Sequence, residues 1–318
     1  MNHHSVSVKP LDPQKFRDPC VTAKGEIRAQ VALTALETLW INTGTLCNIT
    51  CVNCYIESSP RNDALVYISA AEVARFLTEA EDLRLPLREV GFTGGEPFMN
   101  PDILAMLEDT LRRGFKALVL TNAMKPMMHH AAGLLALQEK YGANLTLRVS
   151  LDHPDRATHD AERGTGSFDR TMEGLGFLAR HGFRLHVAGR ASFGVGNEAT
   201  LRADFAALFA THGIAVDAAD PVALMLFPEM DAAADVPEIT EACWGILGKS
   251  PDSLMCASAR MVVKRKGATQ PAVLACTLLA YDSQFELGAT LAEAARPVAL
   301  NHPHCAKFCV LGGAACSR

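Results

Sequence analysis

Short apolar runs alternate with longer amphipathic stretches through the middle of the chain. The runs Leu39–Thr43, Glu89–Thr93, Ala117–Thr121, Leu145–Leu151, Arg184–Gly189 and Pro221–Phe227 have the length and apolar continuity of buried strands. Between them the pattern predicts helices over Ser69–Leu83, Pro101–Arg113, Met128–Tyr141, Ser167–His181 and Ala199–His212. Ser69 can cap the first of these, with Glu72 three residues on to complete a capping box. Gly114, Gly142, Gly182 and Gly213 each follow a helix where left-handed backbone is wanted. Strands alternating with helices build βα units around a parallel sheet. Six units fall short of the eight that close a barrel, so the expected fold is α/β, an open (β/α)6 partial TIM barrel. In that architecture the loops at the C-terminal ends of the strands carry the chemistry.

The segment Asp231–Pro237 reads as a linker, and beyond it Arg260–Lys264, Val273–Cys276 and the Phe285–Gly288 turn predict a small hairpin-rich module. The expected organisation is an N-terminal extension (1–35), the barrel (36–230) and a cysteine-rich C-terminal module (231–318). Of 318 residues, 49% are apolar and 20% charged, as in an ordinary globular enzyme. A net charge of −5 provides no basic field for nucleic acid or an anionic membrane. No apolar run is long enough to span a bilayer, and the first twenty residues contain no apolar secretion segment. A cytoplasmic location is therefore expected, where ten cysteines point to metal or redox work rather than disulfides.

Nine of those ten fall into two groups separated by a long gap. Cys47, Cys51 and Cys54 form a C-x3-C-x2-C triplet just after the first strand. Three such thiolates can hold three irons of a [4Fe-4S] cluster and leave the fourth iron open. A zinc site is the alternative, needing a fourth ligand such as His129 or His130 from another unit. After the second strand comes Gly94-Gly95-Glu96-Pro97, where paired glycines let backbone approach a ligand closely, or simply make a tight turn.

Together the cysteine triplet and the Gly-Gly-Glu-Pro turn resemble those of radical S-adenosylmethionine (SAM) enzymes. Arg148-Val-Ser150-Leu-Asp152 and His159-Asp160-Ala-Glu-Arg163-Gly164 extend the match. The resemblance implies that Gly94, Gly95 and Glu96 meet the methionyl amino group of SAM through their backbone. It assigns the SAM carboxylate and ribose region to Ser150 and Arg163, and an arginine fork suits a carboxylate. Many members carry an aromatic residue just before the third cysteine; here that position is Asn53, and Tyr55 follows instead. Asn122, Arg190 and Ser192 are further candidates for ribose contacts.

The later cysteines, Cys256, Cys276, Cys305, Cys309 and Cys316, are similar to the SPASM and twitch modules appended to many radical SAM enzymes. That likeness implies one auxiliary [4Fe-4S] cluster on Cys256, Cys276, Cys305 and Cys309, with Cys316 a rival for the last place and structural zinc the alternative. Cys243 reads as a small buried hydrophobe, and His304 as a cluster neighbour. The implied activity is reductive cleavage of SAM to a 5′-deoxyadenosyl radical that takes a hydrogen atom from substrate. The expected partners are SAM, a reductant such as flavodoxin or ferredoxin, and a peptide side chain or small molecule; no nucleic acid or membrane is expected. With only about 35 residues before the first strand, no N-terminal peptide-recognition domain is expected. No catalytic acid or base is assigned. The rival class is an iron-sulfur or zinc-binding structural or electron-carrier protein that never cleaves SAM.

Overall fold

The computed structural model describes residues 9–191, 198–228 and 231–312. Its strands are β1 (Gln30–Val31), β2 (Thr38–Asn42), β3 (Glu89–Thr93), β4 (Lys116–Thr121), β5 (Leu145–Ser150), β6 (Arg184–Arg190), β7 (Leu224–Phe227), β8 (Ala259–Val263), β9 (Ala272–Leu274), β10 (Glu286–Gly288) and β11 (Val298–Ala299). Strands β2 to β7 lie side by side in chain order, all parallel, and form the six-stranded partial barrel. The helices that return the chain are α1 (Ala70–Asp82), α2 (Ile103–Arg112), α3 (Lys125–His129), α4 (Ala131–Tyr141), α5 (Arg156–Arg163), α6 (Ser167–Arg180) and α7 (Glu198–His212), with a short α8 (Cys243–Leu247) later.

All five residues of β2 are buried, as befits a central strand covered on both faces. Trp40 is accommodated because its register partner on β3 is Gly91, where a Cβ would come within 2.4 Å of the indole. At α1 the expected capping box is present, with Ser69 and Glu72 bonded reciprocally. Gly114, Gly182 and Gly213 have φ of 89°, 68° and 63°, as expected of helix-ending glycines. Gly142 does not: its φ is −45°, and it carries the chain straight into a 3-10 turn over Gly142–Asn144.

Two helical features differ from expectation. The helix predicted from Met128 is split into α3 and α4 at His130, so His129 ends one helix and His130 caps the next. The segment around His159, outside every helix predicted from the apolar pattern, forms the helix α5.

On the other side of β2 the sheet continues. Strand β8 pairs parallel to it, Thr38 opposite Ala259 through Ile41 opposite Val262. Strands β9 and β10 then add in antiparallel fashion, giving a nine-stranded sheet among the described residues. The C-terminal hairpins thus extend the barrel's own sheet. The segment expected as a linker is pinned to the N-terminal extension: Leu11 N donates to Ala233 O at 2.7 Å, and Lys15 pairs with Asp235 at 2.6 Å. Nearby, Arg28 and Glu238 form an ion pair at 2.5 Å, with both side chains buried.

Candidate functional site

The first turn after β2 and the turn after β3 are built against each other. Gly95 N donates to Gly44 O (2.8 Å) and Glu96 N to Leu46 O (3.1 Å), so this turn supports the backbone leading into Cys47. A Cβ on Gly95 would fall 2.1 Å from Leu46 O, and one on Gly94 2.5 Å from Gly44 O. Gly94 also has a φ of 141°. The paired glycines are therefore required by close backbone approach, whatever ligand they meet.

One cavity at the C-terminal end of the sheet is lined by Cys47, Cys51, Cys54, Tyr55, Gly94, Gly95, Asn122, Ser150, Arg163 and Arg190. Most of the residues expected to hold SAM and the first cluster meet there. Glu96 is the exception among them: its side chain is buried behind the cavity wall. It accepts from Thr121 Oγ1 (2.8 Å), Asn122 N (2.8 Å) and Phe98 N (3.2 Å), which ties the end of β4 to the turn after β3. Burial pushes its carboxyl up to about 7 despite those donors. Ser192 lies outside the described residues.

The thiols sit in a guarded setting. Burial raises Cys47 to about 12, so in the apo chain it is neutral, and a bound metal must displace its proton. Asn122 Nδ2 reaches Asn48 Oδ1 (2.8 Å) and Cys47 Sγ (3.9 Å), while Ser58 N points at Cys54 Sγ (3.3 Å). Such N–H···S contacts stabilise thiolate charge. Arg163 supplies a nearby cation whose charge is felt at Cys51 and Cys47. Its Nε and Nη2 are held by both oxygens of Asp152, at 2.8 and 2.9 Å. That bidentate pair orients the guanidinium at the cavity wall and leaves Nη1 for another partner. Asn53 turns out to anchor the cysteine loop: its Nδ2 binds Glu162 (3.0 Å), its carbonyl accepts from Arg190 Nη2 (2.7 Å), and Val52 N bonds Glu162 O (2.9 Å).

Residues 41–208, more than half of the chain, match the family profile of the radical SAM superfamily. The chain belongs to the radical SAM superfamily. Its members use a [4Fe-4S] cluster and SAM, and the cavity fits that pair. Three spread thiols can each take one iron, and a separate polar wall of Ser150, Asn122 and Arg163 faces the same space. Over 143 residues the chain is 32% identical to the antilisterial bacteriocin subtilosin biosynthesis protein AlbA of Bacillus subtilis, 45% of this chain and 30% of that protein. It is 27% identical over 142 residues to the AdoMet-dependent heme synthase of Nitratidesulfovibrio vulgaris, 44% of this chain and 36% of that one. The match thus spans only about a third of these relatives' length. The fold is similar to that of Streptococcus suis SuiB bound to S-adenosylmethionine, with a TM-score of 0.59 at 14% identity, covering 80% of this chain and 64% of SuiB.

Three further cysteines of this radical SAM chain, Cys256, Cys276 and Cys305, are set by the C-terminal strands and the turn that follows them. Cys256 precedes β8, Cys276 follows β9, and Cys305 opens a π-helical turn (Cys305–Leu311). Burial drives the Cys305 thiol well up, and the charges of Cys276 and Cys256 push it further in the same direction. These three are therefore electrostatic neighbours. Burial likewise lifts Cys256 to about 11. Leu278 N donates to Cys276 Sγ at 3.3 Å. Cys309, four residues along the same turn, lines a different cavity with Met225, Lys249 and Leu254. Cys243 accepts from Thr240 N at 3.3 Å, and the ring of His304 packs on His302 at 4.8 Å. Cys316 lies outside the described residues.

Proposed function

We propose that the chain binds SAM and a [4Fe-4S] cluster in the cavity at the C-terminal ends of β2 to β6 and generates a substrate radical there. Cys47, Cys51 and Cys54 would ligate the cluster, with Gly94, Gly95 and Glu96 backbone, Ser150 and Arg163 holding SAM. What carries this reading is the convergence of the cysteine loop, the Gly-Gly-Glu-Pro turn, Ser150 and Arg163 on one cavity. When bound, the reduced cluster supplies the single electron that cleaves SAM. The protein's contribution is positioning and exclusion of water. Asn122 holds the Cys47 loop, Asp152 aims Arg163, and Glu96 locks two strand ends beneath the cavity.

Cys256, Cys276 and Cys305, completed by Cys309 or Cys316, would hold one auxiliary [4Fe-4S] cluster. The buried Cys305 thiol, which feels the charges of the partly buried Cys276 and Cys256, supports this, since a buried thiol is stable as a thiolate only beside compensating metal. A low-potential carrier such as flavodoxin or ferredoxin would deliver the electrons in a reducing, cytoplasmic setting. For the substrate we favour a peptide side chain. AlbA is a bacteriocin biosynthesis protein, SuiB has been solved with its precursor peptide, and an unclosed sheet admits an extended chain from the side. The match to a heme synthase supports a second reading, a small-molecule substrate.

Anaerobic reconstitution followed by dithionite and SAM tests the activity. The expected product is 5′-deoxyadenosine, lost in Cys51→Ala. No 5′-deoxyadenosine from either protein would leave the carrier reading standing instead. Iron analysis should give about eight irons per chain for two four-iron clusters.

A further inference from the structure

Arg260, in β8, is 1% exposed, and its guanidinium bonds only to backbone carbonyls. Nε donates to Ala294 O (2.9 Å), Nη1 to Cys256 O (2.6 Å) and Ala259 O (2.8 Å), and Nη2 to Arg296 O (3.2 Å). By contrast the buried Arg28 has the Glu238 carboxylate at 2.5 Å, and the partly buried Arg163 has the Asp152 carboxylate at 2.8 Å. Among the described residues Arg260 has none. Carbonyl dipoles satisfy its N–H groups, but they do not cancel its charge. The acidic group whose charge reaches it is the Cys256 thiol. Cys256 in turn is an electrostatic neighbour of Cys305, as is Cys276. A cation has thus been buried beside Cys256, itself a neighbour of Cys305, with no carboxylate partner among the described residues.

We propose that Arg260 is the built-in counter-cation of the auxiliary cluster and raises its reduction potential, leaving the cluster at Cys47, Cys51 and Cys54 unaffected. This rests on the auxiliary-cluster reading above. A thiolate-ligated cluster becomes more negative on reduction. A fixed cation in a poorly solvated site therefore favours the reduced form, net charge being one of the factors that set such potentials. Among the described residues the Arg260 guanidinium bonds to the carbonyls of Ala294, Cys256, Ala259 and Arg296, none of them in the Cys47–Cys54 loop. An auxiliary cluster poised upward in this way is suited to accepting an electron from a substrate radical.

The test is an EPR-monitored redox titration of the full chain after anaerobic reconstitution, with iron counted in every sample. SAM addition marks the first cluster's signal, because only that signal responds. Arg260→Met is expected to shift the auxiliary reduced-to-oxidised ratio at least tenfold toward the oxidised form, about 59 mV downward for a one-electron couple. Arg260→Lys, which keeps the charge but cannot reach all four carbonyls, is expected to stay within threefold of the parent chain. Where Arg260→Met is insoluble, Arg260→Gln carries the same expectation. About eight irons per chain with an unmoved auxiliary potential in the neutral variants would overturn the proposal. Equal shifts in the Lys and Met variants would also overturn it, because they would mark a purely structural pin. Four irons with bound zinc in the parent chain would instead remove the auxiliary cluster itself, and the proposal with it.

Discussion

At Gly95 the space for a side chain is already filled by the backbone it supports. The Leu46 carbonyl would lie 2.1 Å from a Cβ there, and a backbone atom cannot swing aside as a side-chain tip can. Gly95→Ala must therefore push the Cys47 loop off the turn after β3. Overpacking of this kind costs about 1–3 kcal/mol. The expected outcome is a lower melting temperature in the apo chain and weaker iron retention at the first cluster. Gly245→Ala, with nothing within 4 Å, serves as the control. A Gly95→Ala chain that melts and holds iron like the control would show that the turn does not support the loop. The glycine pair was legible in the sequence as a place of close approach. Its first partner was not, because spacing alone cannot show that the neighbour is the cysteine loop itself. Asn53 was visible only as a missing aromatic; its bonds to Glu162 and Arg190 depend on elements more than a hundred residues away.

Among the elements, α5 shows why some of the site escaped the pattern of apolar positions. Its eight residues bury one side chain, His159, so no apolar stripe marks it as a helix. The readable signal was Asp155, whose carboxylate caps the helix by accepting from Thr158 N at 2.9 Å. The strands and longer helices were readable because each buries a continuous run or stripe. His159 fastens α5 to β5 by accepting from Asp152 N at Nδ1 (3.2 Å), which requires a neutral ring. Burial, with the Arg163 charge adding to it, lowers its pKa from 6.5 to about 4. A base depressed in this way adds stability that is complete above pH 6.5 and lost as pH falls toward 4. Amide exchange in α5 should therefore accelerate on going from pH 6.5 to 4, after correction for the intrinsic rate. His159→Gln, whose amide oxygen can accept without titrating, should flatten that dependence. Identical pH profiles in the two chains would sink the assignment.

For the whole molecule, the decisive contact is the parallel pairing of β2 with β8, which makes one sheet of barrel and C-terminal hairpins. The run Arg260–Lys264 was readable as part of a hairpin, one residue off the observed strand Ala259–Val263, but an apolar run does not name its neighbour, so the module was expected as an appendage. The structure ties it to the Cys47–Cys54 loop region as well. Tyr281 Oη donates to Ile56 O (2.8 Å) and accepts from Asn62 Nδ2 (3.2 Å), while Lys264 reaches Glu72 on α1 (2.6 Å). Removing residues 231–318 would strip these contacts and leave β2, buried at all five positions, as an open sheet edge. An apolar edge with free N–H and C=O groups pairs readily with other chains. The truncated chain 1–230 is therefore expected to elute as aggregates in size-exclusion chromatography with light scattering, and to hold less iron at Cys47, Cys51 and Cys54 than the full chain. A monomeric fragment that melts cooperatively and retains about four irons would show that the barrel is independent of the module. Because the shared sheet links both cysteine groups, loss of the C-terminal strands should be felt at the first cluster without any change to its own ligands.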